Sequence, residues 1–126
     1  MAALRTGIDL VEVERLAELQ VEIRQKFLER VFTAYELEDA GRSDMLLATR
    51  FAAKEAVAKA LGCGIGPVSW CEIEVRHNQE GDLTLKLYGN AQRIAEETGL
   101  QRWSISLSHT SEYAVALVVA YGEVEE

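Results

Sequence analysis

The spacing of apolar and polar residues predicts an α+β domain. Apolar residues recur at every second position in the strand-like stretches and at every third or fourth position in the helical ones. The predicted elements, in chain order, are a strand over 7–11, a helix ending near residue 20, a helical segment over 25–30, a helix after 33, a central helix over 43–62, a hairpin of 71–76 and 83–87, a helix over 90–98, and strands over 103–109 and 113–120. We therefore expect a single domain over 1–126, in which an antiparallel sheet packs with the long central helix.

Residue types at the helix ends support these boundaries. Thr33 is followed three positions later by Glu36, which is the spacing of a capping box. Ser43 and Asn90 are expected to cap the helices that follow them, because their side-chain oxygens accept hydrogen bonds from free backbone N–H groups. Gly62 is expected to end the central helix, since glycine adopts the left-handed conformation found there.

The central helix carries a carboxylate where an ordinary helix carries an apolar residue. Glu55 falls in the middle of an apolar stripe, with Lys59 one turn beyond it. The stripe consists of Ala48, Phe51, Ala52 and Ala58, and the opposite face of Leu46, Ala53, Val57, Ala60 and Leu61. A surface Glu–Lys pair is the alternative, but only Thr49, Arg50 and Lys54 supply polar surface. Because burying an ionised Glu is costly without a cation to face, we predict a functional role for Glu55.

Asp9 is a second acid in apolar surroundings, at the end of the first predicted strand. With Glu12 it also has the spacing of a helix-capping box, and by itself that is the stronger interpretation. Together, however, Asp9 and Glu55 suit Mg²⁺, which proteins bind through one or two carboxylates plus substrate phosphates. Lys59 would then neutralise phosphate charge, so the pattern suggests phosphoryl chemistry without identifying the substrate.

His109 lies at the end of a predicted strand, between Ser108 and Thr110. A phosphate could bind to the donors that meet there. The alternative is a histidine that closes the apolar face of its strand and bonds to the turn backbone. A Ser–His hydrolase is excluded, because the chain has no Gly-x-Ser-x-Gly motif and adjacent strand residues point to opposite faces.

The net charge of the chain is −8, from 13 basic and 21 acidic residues. This balance argues against nucleic-acid binding, which needs a basic surface, and it requires that an anionic ligand or acidic partner meet a local basic patch. Cys63 and Cys71 form neither a disulfide scaffold nor a metal motif. No apolar run is long enough to span a bilayer, so we expect a cytoplasmic protein with no membrane partner.

Several segments in order resemble the holo-acyl-carrier-protein synthases, the small type of 4′-phosphopantetheinyl transferase. Any one of them is a weak match, but all of them at this spacing are specific. They are GIDLV at 7–11 with Arg15, the stretch 27–37, RFAAKEA at 50–56 with Lys59, GCGIG at 62–66, EIEV at 72–75, and SLSHT at 106–110 before YAVA at 113–116.

The resemblance implies that coenzyme A donates its phosphopantetheine arm to a serine of an apo acyl carrier protein, which releases adenosine 3′,5′-bisphosphate. It also implies a homotrimer with active sites at subunit clefts and a role in fatty-acid or polyketide biosynthesis. Carried over by position, the implied catalytic set is Asp9, Glu55 and Lys59, in which the two acids hold Mg²⁺ on the pyrophosphate and Lys59 contacts a pyrophosphate oxygen.

The remaining implied contacts are basic or polar. His109, with Thr110 beside it, would contact a coenzyme A phosphate. Arg50 and Lys54 are candidates for the region of the 3′-phosphate, and Arg15, Arg24 and Lys26 match the basic patch that binds the acidic carrier.

The general base is left open between a metal-bound water and a nearby carboxylate. Two other functions compete: a catalytically silent module that binds the carrier or coenzyme A, and a metal-dependent phosphohydrolase.

Overall fold

Five strands form two antiparallel sheets in the computed structural model, which describes residues 2–123. The larger sheet has the strand order β1-β5-β4, with β1 at Ala2–Glu12, β4 at Arg102–His109 and β5 at Tyr113–Glu123. The smaller sheet is the hairpin of β2, at Ile73–His77, and β3, at Leu83–Leu87. The helices are α1 at Glu14–Ala17, α2 at Val21–Val31, α3 at Ala34–Ala40, α4 at Asp44–Leu61 and α5 at Gly89–Glu97.

The predicted α+β class and the order of elements are confirmed, and the differences concern boundaries. β1 is longer than the predicted 7–11, because every residue from Ala2 to Glu12 has a partner on β5. α1 ends at Ala17 rather than near residue 20. Cys71 and Glu72 were predicted in a strand, but they lie in a 3₁₀ turn over Trp70–Glu72 that precedes β2.

α4 is the central, buried helix that the sequence predicts. It packs on β1 and β5 and also contacts β2, β4 and α5. Ser43 caps it through a hydrogen bond from the Leu46 N–H, and Gly62 ends it with a φ of 83°. Three of its polar residues, Thr49, Arg50 and Lys54, are buried as well. The helix is therefore enclosed on nearly all sides, as expected.

One predicted cap is wrong and another is confirmed. Thr33 and Glu36 form the expected capping box at the start of α3. Asn90 does not cap α5: its side chain donates to the Pro67 carbonyl at 3.2 Å. The carboxylate of Glu72 instead accepts from the Asn90 backbone N–H, so a residue from another segment satisfies the helix start.

The larger sheet has one covered face and one open face. Its inner face, which includes Gly7, Ala116 and Val118, packs on α4. Side chains alternate along a strand, so their neighbours point outwards. On β1 these are Leu4, Ile8 and Leu10, with 68%, 59% and 63% of their surface exposed. Ile8 pairs with Leu117 of β5, which is also exposed, so the outer face carries a continuous apolar patch.

Across residues 2–123, no helix combines the length and apolar character that crossing a bilayer requires.

Cys63 and Cys71 are both free thiols. Burial raises the pKa of the Cys71 thiol, so this residue is held in its neutral form.

Candidate active site

β1 and α4 bring together three side chains that are far apart in the sequence. The Lys59 ammonium lies 3.1 Å from Oδ1 of Asp9 and donates to the Ile8 carbonyl at 2.8 Å. Glu55 lies one turn before Lys59 on α4. The negative charge of Asp9 acts on the Glu55 carboxylate and raises its pKa. The three residues predicted to form the catalytic set therefore share one location.

The two carboxylates repel one another. The pKa of Glu55 is raised, chiefly because burial disfavours its charged form and further because of the negative charge of Asp9, while Lys59 acts in the opposite direction. A cation between the acids would relieve this repulsion. In the part of the chain that the structure describes, no group of three or more His, Cys, Asp or Glu residues could hold a metal. A pair of acids is nevertheless what Mg²⁺ uses when phosphates and water complete its shell.

A cavity of about 470 Å³ opens beside this pair. Asp9, Glu55 and Arg15 supply charged groups to its wall, with Glu12 at the edge. The rest of the lining is apolar or aromatic and consists of Leu10, Val11, Leu16, Leu19, Phe27, Phe51 and Tyr113. The lining suits a ligand with an apolar portion, and its acids would accept an anionic end only with a cation bound between them. A larger cavity of about 890 Å³ between β3, α5 and β4 contains none of the predicted site residues.

His109 and Thr110 lie outside this cavity. His109 ends β4 opposite Ala114 and is exposed. The hydroxyl oxygen of Thr110 accepts from the N–H groups of Glu112 and Tyr113, at 3.2 and 3.0 Å, and thereby shapes the turn between β4 and β5. Within one chain, the structure does not bring these two residues to Asp9 and Glu55.

The prediction that Lys54 contacts a phosphate is corrected by its burial. Its side chain is 0% exposed, and its ammonium pairs with Oε1 of Glu36 at 2.6 Å. It also donates to the carbonyls of Trp70 and Ile73, at 3.0 and 2.6 Å. These three acceptors satisfy all three N–H donors of the ammonium, and none is left for a ligand. Burial lowers the pKa of Lys54, and Glu36 opposes that effect.

Arg50 is also buried and already engaged. Its guanidinium lies 3.3 Å from Oδ2 of Asp39 and 3.1 Å from Nε2 of His77. It lines neither the cavity nor the surface near Asp9. The structure therefore does not place Arg50 where the sequence analysis expected a ligand phosphate.

The three residues of the predicted basic patch differ in availability. Arg15 is exposed and lines the cavity, and Lys26 is exposed on α2. Arg24 is half-buried: it donates to the Leu16 carbonyl at 2.7 Å and pairs with Asp44 at 2.5 Å. Arg24 therefore joins α2 to α1 and α4, while Arg15 and Lys26 are exposed and have no ion pair within residues 2–123.

The sequence analysis missed the aromatic part of the cavity. Phe27 and Phe51 line it with ring centroids 5.5 Å apart, and Trp70 stacks on Phe51 at 5.0 Å. One signal was available, since Phe51 precedes Glu55 by four positions and helical residues at that spacing share a face. Phe27 and Trp70 come from distant segments and gave no such signal.

Comparisons with known proteins agree on one family. The model of the 4′-phosphopantetheinyl transferase superfamily matches residues 5–118. A holo-[acyl-carrier-protein] synthase of Herpetosiphon aurantiacus is 43% identical over 126 residues, which cover 94% of this chain and 99% of that protein. The corresponding protein of Geobacter sulfurreducens is 43% identical over 118 residues, or 90% of this chain and 94% of the relative.

Solved structures show the same fold. The holo-[acyl-carrier-protein] synthase of Neisseria meningitidis matches with a TM-score of 0.82 at 38% identity, and the match covers 92% of this chain and 96% of that protein's chain. The Helicobacter pylori enzyme, solved in complex with coenzyme A, has a TM-score of 0.82 at 30% identity and covers 91% of this chain and 98% of its own. With a family match over most of its length and relatives that span nearly all of it, the chain belongs to the 4′-phosphopantetheinyl transferase superfamily.

Proposed function

We propose that this protein transfers the 4′-phosphopantetheine group from coenzyme A to a serine of an apo acyl carrier protein. The serine oxygen forms a bond to the phosphorus on the pantetheine side of the pyrophosphate. The bond from that phosphorus to the bridging oxygen breaks, and adenosine 3′,5′-bisphosphate leaves. The observation that carries this proposal is the position of Asp9 and Glu55 on the wall of a largely apolar cavity, with Lys59 paired to Asp9.

Asp9 and Glu55 are the residues that would hold Mg²⁺. The raised pKa of Glu55 is consistent with this assignment: its chief cause is burial and its second is the charge of Asp9, and a bound cation would offset both. When bound, Mg²⁺ would stabilise negative charge on the pyrophosphate oxygens. The ion needs only these two protein ligands if waters and phosphates supply the others.

Lys59 would assist the leaving group. Its side chain is 52% exposed and uses two of its three N–H donors on Asp9 and Ile8. Its third donor has no partner among residues 2–123 and could bind a pyrophosphate oxygen. A positive charge held there stabilises the negative charge that develops as adenosine 3′,5′-bisphosphate departs.

The carrier would dock where Arg15 meets the cavity. Arg15 and Lys26 offer positive charge on a chain that is otherwise strongly acidic, which suits an acidic protein. Arg24 would support this patch indirectly, through its bonds to Leu16 and Asp44. The aromatic wall of Phe27 and Phe51 would contact apolar parts of the bound substrates.

We propose that the active protein is a homotrimer with its sites at subunit clefts. Exposed apolar patches of this kind mark interaction surfaces, and the outer face of β1 and β5 supplies one next to Asp9. A cleft between copies would also give a role to His109 and Thr110, which do not reach the cavity of their own chain. His109 and Thr110 would contact a phosphate of a coenzyme A molecule that occupies the Asp9–Glu55 site of a neighbouring subunit.

This reaction would take place in the cytoplasm and would supply active carriers for fatty-acid or polyketide biosynthesis. The test is intact-mass spectrometry of apo carriers of both kinds, incubated with the protein, coenzyme A and Mg²⁺, with a chelator control. We expect a gain of one phosphopantetheine that the chelator prevents. Phosphopantetheine released into solution without a modified carrier would instead indicate a phosphohydrolase. Bound coenzyme A with no product from any carrier would indicate a silent binding module.

A further inference from the structure

A buried ion pair joins three segments of the chain behind the cavity. Glu36 of α3 and Lys54 of α4 are both 0% exposed in their side chains. Oε1 of Glu36 accepts from the Thr33 N–H and Oε2 from the Val75 N–H, both at 2.9 Å. Lys54 donates to the carbonyls of Trp70 and Ile73. The pair therefore fixes α3, α4 and the segment leading into β2 relative to one another.

The Trp70 carbonyl connects this ion pair to the cavity. The indole ring of Trp70 stacks on Phe51, with 5.0 Å between the ring centroids and an interplanar angle of 26°. Phe51 in turn contacts Phe27 at 5.5 Å, and both phenylalanines line the cavity beside Glu55. The hydrogen bond to the Trp70 carbonyl thus fixes the backbone from which its ring extends, and that ring packs on Phe51.

We propose that Glu36 and Lys54 are positioning residues, which hold the aromatic wall of the cavity through the Trp70 carbonyl and thereby set the affinity for the carrier. The kinetic part of this inference rests on the proposed transfer reaction, and the placement of Trp70 does not. Neither residue touches a substrate in this arrangement. This positioning role can be distinguished from direct binding of a phosphate by Lys54. Only the positioning role predicts that substituting the pair changes the surroundings of the Trp70 ring when no ligand is bound.

The variants must separate positioning from loss of stability. Removing one partner of a buried ion pair leaves an uncompensated charge, so K54M or E36Q alone can unfold the chain. The double variant E36Q/K54M removes both charges at nearly constant volume, so neither leaves the other as an unpaired buried charge. A second variant, W70A, removes the stacked ring while leaving the ion pair intact.

A matched control is E74Q. Glu74 is a buried acid on β2 whose carboxylate accepts from the Tyr88 hydroxyl and pairs with Arg76. Its charge lies near Lys54, but the hydrogen bonds of Lys54 within residues 2–123 go to Glu36, Trp70 and Ile73 instead. E74Q therefore tests whether losing any buried acid in this region has the same effect.

The first readout is the near-ultraviolet circular dichroism and emission of Trp70, measured without substrates in a W103F background, because the chain has two tryptophans. We expect E36Q/K54M to lose the Trp70 signal and E74Q to keep it. An unchanged Trp70 signal in a folded E36Q/K54M variant would overturn the inference. So would an equal loss in E74Q.

The second readout is the transfer rate at varied carrier concentration. We expect kcat/KM for the carrier to fall about tenfold or more in E36Q/K54M and in W70A, mainly through KM, since small displacements in a site have effects of this size. An unchanged carrier KM in W70A would contradict the proposed wall. If the unsubstituted chain transfers nothing, the proposed function fails, and the Trp70 signal alone then decides the placement.

Discussion

Gly7 lies directly against the backbone of Ala56, so β1 and α4 touch without an intervening side chain. A Cβ built on Gly7 would come within 1.8 Å of the Ala56 carbonyl oxygen. Gly7 stands two positions before Asp9, and Ala56 directly follows Glu55. The distance between the two carboxylates therefore depends on the absence of a side chain at residue 7.

Substituting Gly7 with alanine tests this contact. The G7A variant must push α4 away from β1, and overpacking of this kind typically costs about 1–3 kcal/mol of folding free energy. We expect a lower midpoint of thermal unfolding and a weaker stabilisation by added Mg²⁺. The control is T6A, at an exposed neighbour on the same strand. Equal melting temperatures for G7A and T6A would show that the contact is not tight.

The E55Q variant tests the assignment of Glu55 as a metal ligand. Glutamine conserves the volume but not the charge, so we expect transfer to fall by roughly a hundredfold or more while the fold is retained. Added Mg²⁺ should no longer raise the melting temperature. The matched control is E14Q, at an exposed acid on α1. If E55Q kept most of its activity with Mg²⁺, the ligand assignment would be wrong.

The raised pKa of Glu55 predicts a specific pH dependence of stability without metal. A carboxyl whose pKa is higher in the folded state than the ordinary 4.5 favours folding below the unfolded value, and that contribution is lost as pH rises through the folded value. In the presence of a chelator, E55Q should therefore gain stability over the unsubstituted chain as the pH rises through this range. Thermal unfolding at a series of pH values measures the difference. A gap that does not change with pH would contradict the predicted shift.

Proton competition should also affect Mg²⁺ binding. Because the metal binds the ionised carboxylate, its affinity should weaken as the pH falls through the raised pKa of Glu55, at a higher pH than for an unperturbed glutamate. Titration calorimetry on the unsubstituted chain checks this expectation, with E55Q as the reference.

Charge reversal at Arg15 tests the docking of the carrier. We expect R15E to raise the KM for the acidic carrier roughly tenfold, about 1.4 kcal/mol, with little change in the KM for coenzyme A. R93E makes the same change in net charge on α5, which contributes no residue to the cavity. If R15E and R93E had equal effects, overall charge rather than a local patch would explain the result.

A charge on the outer sheet face tests the trimer. L117D places an acid opposite Ile8 in the middle of the exposed apolar patch. We expect sedimentation to show trimers for the unsubstituted chain and monomers for L117D, with circular dichroism unchanged. L117D should also lose transfer. A trimer that persists in L117D would mean that copies associate through another surface.

Local patterns predicted much of this fold because their causes are local. The Thr33–Glu36 box and the ends of α4 depend on residues a few positions apart, and the sequence therefore identifies them. The acid at 55 also stood out, since its helix is apolar on nearly all sides. The pattern of α4 carries no information about the position of Asp9. The two acids were connected by the ligand preference of Mg²⁺ and by the family resemblance.

Lys54 and Asn90 show where local patterns failed. The partner of Lys54 is Glu36, which lies 18 positions earlier on another helix, so the helical pattern alone displayed an unpaired cation. The start of α5 is satisfied by Glu72 from a separate turn, so the expected cap was not needed. In both cases a distant segment satisfied a group that the local sequence left open.

β1 turns Asp9 inwards while the residues on either side of it, Ile8 and Leu10, face outwards. With the proposed metal site and the proposed trimer, the chemistry and the association of copies would depend on the same few residues of this strand. Mutational change in one is therefore restricted by the other. It also means that a sample diluted until its copies separate should lose specific activity before it loses any of its folded structure.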